Sequence, residues 1–134
     1  MRSIQFTIPC KPLSINHIYG QARTGRKYMK PEGKALMDTT AMLAKQAMRD
    51  SGMKIITDSF SLYVTYYMLP KNEMDVTNCE KALIDAMQGI VFTNDKLLGR
   101  NTAATHFNGT YYFANFSKLI VNENPRIDVM IETY

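Results

Sequence analysis

Apolar and polar residues alternate near the start of the chain. Ile4, Phe6 and Ile8 stand between Ser3, Gln5 and Thr7, which predicts a strand over residues 3–8. Pro9 and Pro12 end it, and a loop is expected to run on to about residue 30. The period then changes. Ala35, Leu36, Thr39, Met42, Leu43, Ala47 and Met48 recur at three- and four-residue spacing, so a helix is predicted from Pro31 to Asp50. Pro31 suits a first helical position, and Gly52 supplies the stop. A second alternation follows: Phe60, Leu62, Val64, Tyr66 and Met68 face one way, and Ser61, Tyr63, Thr65 and Tyr67 the other, until Pro70.

Thr77-x-x-Glu80 is a capping box, so a second helix is predicted to start there, with Leu83, Ile84 and Met87 as its buried stripe and Gly89 as its C-terminal turn. A short apolar run, Ile90-Val91-Phe92, leads into the polar corner Thr93–Lys96. Further strands are expected over about 97–106, about 110–121 and Arg126–Thr133, with Asn108-Gly109 as a hairpin turn between the first two. Two helices and about five strands, with no linker or repeat, predict one α+β domain over residues 1–134 with a mixed β-sheet.

Composition narrows the class. With 134 residues, 46% of them apolar, the chain can bury a core without disulfides or a structural metal. Its two cysteines, Cys10 and Cys79, cannot make a disulfide framework, and two histidines cannot make a His-rich zinc site. Cys79 has no His or Asp at a spacing that suggests a nucleophile and reads as inert. The ten methionines are expected mainly as core filler. No stretch approaches the ~20 apolar residues of a membrane span, and the N-terminus lacks the apolar region of a signal peptide. A cytoplasmic location with no membrane partner is expected.

The net charge of +4 makes nucleic acid an admissible partner, and the placement of charge says more. Arg23, Arg26, Lys27, Lys30 and Lys34 are interrupted only by Glu32, with Tyr28, Gly25 and, just upstream, Tyr19 and Gly20 in the same stretch. Such a segment can follow a phosphate backbone and stack on bases. Arg23, Arg26, Lys27 and Lys30 are therefore candidate DNA-binding residues; the alternative is a solvated surface loop.

Helical spacing puts Asn78, Lys81 and Asp85 on one face of the second helix, with Asp75 just upstream. Asp95 lies beyond the 90–92 run and would approach Asp75 if that run paired beside the 60–69 strand. Carboxylates so placed suit Mg²⁺-assisted phosphodiester cleavage: hard oxygens hold the ion, and a nearby lysine stabilises growing negative charge. Asp85 lies eight residues into the helix, ~12 Å from its cap, and is better placed to position Lys81 than to share an ion with Asp75. A capped surface helix with a salt-bridged face has the same spacing.

Three runs stand in order: Pro12-Leu-Ser14-Ile-Asn16-His17-Ile-Tyr19; then Arg26-Lys-Tyr28 and Glu32-Gly33-Lys34; then Asp75-Val-Thr77-Asn78-Cys-Glu-Lys81-Ala-Leu-Ile-Asp85-Ala-Met87-Gln-Gly89, followed by Ile-Val-Phe-Thr and Asn94-Asp95. Together they resemble the RusA family of Holliday junction endodeoxyribonucleases from bacteria and their phages, across about residues 5–98. The resemblance implies an intertwined homodimer that binds four-way DNA junctions and makes paired, symmetric nicks with Mg²⁺ or Mn²⁺. It implies that Asp75 and Asp95 are metal ligands and that Lys81 acts near the scissile phosphate. Ser14, Asn16 and His17 would lie at the DNA surface with Asn78, and Lys71 near the entrance. The C-terminal third carries no motif.

Two positions depart from the family pattern. Thr77 replaces the second acid of an Asp-x-Asp pair, and Asn94 the first of an Asp-Asp pair. A neutral hydroxyl in place of a carboxylate weakens Mg²⁺ binding. Glu73 is a candidate substitute ligand, and Thr77 also reads as the helix N-cap. The expectation is an active nuclease; the alternative is a dimer that grips branched DNA with impaired or no cleavage.

Overall fold

In the computed structural model the described residues are 2–13, 18–68, 76–94, 106–107, 110–111, 115–121 and 124–133. They form, in order, β1 (Arg2–Ile8), β2 (Tyr19–Gln21), β3 (Lys27–Met29), α1 (Pro31–Ser51), β4 (Phe60–Met68), α2 (Val76–Met87), β5 (His106–Phe107), β6 (Thr110–Tyr111), β7 (Asn115–Val121) and β8 (Arg126–Thr133). The main sheet has the order β1-β8-β4-β7. β8 pairs antiparallel with both β1 and β4, while β7 runs parallel to β4, so the sheet is mixed as expected. A parallel pair needs a crossover, and α2 lies in the connection between β4 and β7.

The alternations read from the sequence become rows across three strands. Ile4, Ile131 and Leu62 align; so do Phe6, Val129 and Val64, and Ile8, Ile127 and Tyr66. All but the half-buried Phe6 are buried. Each large apolar side chain fully removed from water in these rows contributes roughly 1.5–3 kcal/mol. On the opposite face the rows are more polar: Thr7 donates a 2.8 Å hydrogen bond to Asp128 Oδ1, its register partner, and Arg126 lies 3.7 Å from the ring centroid of Tyr67. The two helices pack on each other, α1 also against β1 and α2 against β7.

α1 starts at the predicted Pro31 and runs one residue past the predicted Asp50, with Gly52 in a left-handed conformation (φ 67°) donating its N–H to Arg49 O. Its buried stripe differs from the expected one: it is Gly33, Leu36, Thr40, Ala44 and Met48. Met42, expected in the stripe, is 59% exposed, because two helical positions from Thr40 and from Ala44 turn it roughly 160–200° from that face. The core-filling expectation for methionine holds at Met48, Met68 and Met87 and fails at Met29 and Met42. Thr40 satisfies its hydroxyl by donating to Leu36 O at 2.7 Å.

Two other expectations change. The stretch up to residue 30 is not all loop, since β2 and β3 form an antiparallel hairpin within it. The Ile90–Phe92 run does not pair beside β4, whose two edges are taken by β8 and β7; it docks on the segment before β4, through an Ile56–Phe92 bridge. In the C-terminal third β5 and β6 flank Asn108-Gly109 as the predicted hairpin, β6 and β7 are strand at both ends of the stretch expected over about 110–121, with 112–114 outside the described residues, and β8 has the predicted limits; most of the strand expected over 97–106 lies outside the described residues. No helix among the described residues is long and apolar enough to cross a membrane.

Candidate functional site

α2 begins at Val76, immediately after Asp75 and one residue before the Thr77 expected as its cap. The positive end of the helix dipole therefore sits in the Asp75–Thr77 stretch, where anions are favoured. Lys81 and Asp85, four residues apart, are both exposed, as the helical spacing predicted. The other side of α2 buries Cys79, Ala82, Leu83, Ala86 and Met87, while Ile84, expected in the stripe, is half-buried. Helical side chains lean towards the N-terminus, so Lys81 is directed back to the start of the helix.

Beneath that start lies a polar group of residues that the sequence did not reveal. Glu80 is 6% exposed, Tyr66 and Cys79 are fully buried, and the Tyr66 hydroxyl makes no hydrogen bond among the described residues. Burial pushes the Tyr66 phenol far above its usual range, and the nearby Cys79 and Glu80 charges add to the rise. Burial also pushes the Cys79 thiol up to about 11; a hydrogen bond from the Leu13 backbone pulls the other way, and Glu80 adds to the rise. The thiol is thus protonated at neutral pH and inert, as its sequence context suggested.

The Leu13 backbone lies close enough to Cys79 to act on its thiol, and both residues belong to the buried core, so the end of the β1 connection lies beside the first turns of α2. Ile18, five positions after Leu13, is fully buried and accepts the Lys30 N–H at 2.7 Å, at the start of α1. Here Gly33 is required: a Cβ on it would lie 2.7 Å from Ile18 O and 2.8 Å from Ile18 Cα. The segment carrying Ser14, Asn16 and His17 is therefore tethered at one end to the start of α2 and at the other to the start of α1. The three residues themselves lie outside the described residues, as do Lys71, Glu73, Asp75 and Asp95; Thr77 and Asn78 are described by backbone alone, in the first turn of α2.

The β2–β3 hairpin leaves directly from Ile18. Its turn closes with Gly25 N–H to Ala22 O at 2.9 Å and Ala22 N–H to Arg26 O at 2.8 Å, and Gly25 takes φ 85°, which suits glycine. Arg23, Arg26 and Lys27 are exposed on it, and Lys30 is half-buried at its base. The basic cluster of the sequence is thus an ordered ribbon, and the glycine-centred turn is the signal that could have located it.

Among the described residues no three His, Cys, Asp or Glu side chains gather in a way that could hold a metal. The donors that bracket α2 in sequence are oxygens: the carboxylates of Asp75 and Asp95, the Thr77 hydroxyl and the Asn94 carbonyl. The nearby sulfur is the buried, protonated Cys79. That donor set fits a hard cation such as Mg²⁺ or Mn²⁺ and not a thiolate-bound zinc.

A family model described as Endodeoxyribonuclease RusA matches residues 9–132. Proteins called crossover junction endodeoxyribonuclease RusA, from Escherichia coli strains K12 and O139:H28 (E24377A), are each 29% identical over 87 residues, 65% of this chain and 68% of the relative.

Proposed function

This chain belongs to the RusA endodeoxyribonuclease family, and we propose that it resolves four-way DNA junctions as a homodimer, each copy nicking one strand with a divalent ion held by Asp75 and Asp95. Its activity is that of a crossover junction endodeoxyribonuclease acting in recombination and repair. Junction DNA as substrate puts its work in the bacterial cytoplasm.

The observation that carries the residue assignment is the double tether. Leu13 against Cys79 and Ile18 against Gly33 put the ends of the Ser14–His17 segment at the starts of both helices. The basic ribbon leaves from the same point, so DNA held along it passes the start of α2. Arg23, Arg26 and Lys27 neutralise backbone phosphates there. Ser14, Asn16 and His17 hold the strand beside it, Lys71 guards the entrance, and Asn78 lines the same helical face as Lys81.

When bound, the metal supplies Lewis-acid polarisation of the phosphate and an activated water. Asp75 and Asp95 contribute its carboxylate charge, with Thr77 and Glu73 as further oxygen donors. Lys81, directed towards the helix start, stabilises negative charge growing on the scissile phosphate. Asp85 lies ~14 Å along α2 from its first residue, too far to share the ion, and positions the Lys81 ammonium through an i,i+4 pair.

The test is a labelled four-way junction incubated with the protein in Mg²⁺ and, separately, in Mn²⁺. Paired nicks at symmetric positions are expected. Tight binding without nicks in either metal supports the second reading, a branched-DNA-binding dimer, which the hydroxyl at position 77 specifically favours.

A further inference from the structure

Tyr28 and Gly20 face each other across the β2–β3 ribbon. A Cβ on Gly20 would lie 2.5 Å from Tyr28 Cζ and 2.6 Å from its hydroxyl oxygen, so the phenol end of the ring occupies the space a side chain at position 20 would fill. An aromatic ring folded over a strand glycine is held in place by that contact. Its outer side is open: Tyr28 is 51% exposed, and every residue from Gln21 to Met29 is exposed. The charge around it has one sign. Arg23, Arg26, Lys27 and Lys30 lie in the ribbon or at its base, and no acidic residue occurs between Tyr19 and Lys30.

Ribbon stability requires the glycine contact but not the cations, and phosphate binding requires the cations but not a fixed, open aromatic face. Both together suit a nucleobase presented face-on by an anionic strand. Inside a duplex every base face is covered by its neighbours. In the open form that a four-way junction takes without divalent metal, the base pairs at the branch point lose a stacking partner and leave faces uncovered. We propose that Tyr28 is a stacking platform for a base at the centre of branched DNA, and that it makes the protein prefer a junction over linear duplex. This rests on the DNA reading above and adds a specificity-determining residue to it.

The test compares a four-way junction carrying 2-aminopurine at the branch point with a linear duplex of the same sequence, both in EDTA so that no strand is cut. For the unaltered protein, tight junction binding and a change in 2-aminopurine fluorescence are expected. Tyr28→Leu should weaken junction binding about tenfold, leave duplex binding unchanged and abolish the fluorescence change. Tyr28→Phe keeps the ring and should retain both signals. Gly20→Ala keeps the tyrosine but displaces it, and should behave like Tyr28→Leu; far-UV circular dichroism checks that each variant is folded. Equal losses on junction and duplex, or no loss on either, overturn the proposal while leaving the junction reading intact. So does a change of oligomeric state on sedimentation of Tyr28→Leu, which would make the ring a contact between copies. Failure of the unaltered protein to bind the junction overturns both.

Discussion

Phe92 stacks on Phe60 with ring centroids 4.4 Å apart and planes 18° from parallel. Both rings are fully buried. Around them Ile56 donates its N–H to Val91 O at 2.8 Å and accepts the Thr93 N–H at 3.1 Å. The chain leaving α2 is thereby clamped to the segment before β4 as far as Thr93, two residues short of Asp95 in sequence. Phe92→Ala should cost about 3–5 kcal/mol of stability, read by urea denaturation. Phe92→Leu should keep the fold but slacken the path to Asp95, so single-turnover nicking falls more than junction affinity.

Asp75→Asn keeps size and removes charge. Nicking should fall to background, while junction binding persists or tightens because a negative group near phosphate is gone. Gel shift and nicking on the same junction measure both, and Mn²⁺ titration should show weaker metal binding.

Restoring an acid next to it should act in the opposite direction. Thr77 lies in the first turn of α2, where a carboxylate is favoured by the helix dipole. Thr77→Asp should lower the Mg²⁺ concentration for half-maximal nicking by about tenfold, without loss of thermal stability. An unchanged metal requirement would remove residue 77 from the ion's surroundings.

Gly33→Ala sets two effects against each other. Alanine gains about 1 kcal/mol of helix propensity. The added methyl group meets Ile18 backbone atoms at 2.7 and 2.8 Å, and backbone cannot step aside without losing the Lys30–Ile18 hydrogen bond. Overpacking of this kind costs about 1–3 kcal/mol, so a net loss is expected, seen as a lower Tm. Junction affinity should fall with it, because Ile18 anchors both the Ser14–His17 segment and the ribbon.

The raised Cys79 pKa has a defined sign. A thiol whose folded pKa is about 11 holds its proton where the unfolded chain has begun to lose it. Its contribution to stability is complete below the unfolded value of about 9 and is lost as pH rises towards 11. At pH 8 alkylation of Cys79 should require unfolding, whereas the half-buried Cys10 should react in the native protein; mass spectrometry after brief iodoacetamide treatment separates them.

Much of the fold was legible where a period reports burial directly. β4 and β8 alternate cleanly because one face of each meets the helices, and both helices carry recognisable starts and stops. What periodicity cannot give is partnership across long separations: nothing local to Arg126–Thr133 says that it lies between β1 and β4. The α1 stripe was misjudged at Met42 because several overlapping apolar spacings fit the same segment, and only packing selects one. At the site, Lys81 and Asp85 were readable from helical geometry. Glu80 was not, since a capping-box residue is expected at the surface and this one is buried, near enough to Tyr66 to act on its phenol. The ribbon was missed because three-residue strands are too short to show a pattern.

The strand order also constrains synthesis. β8 supplies the inner neighbour of both β1 and β4, yet it is translated last of the three. A nascent chain therefore carries two apolar strands with unsatisfied edges until residues 126–133 emerge, and in that interval they are open to pairing with other chains. Truncation within that final strand should for the same reason yield insoluble aggregate, since it removes the middle of the sheet and not its rim.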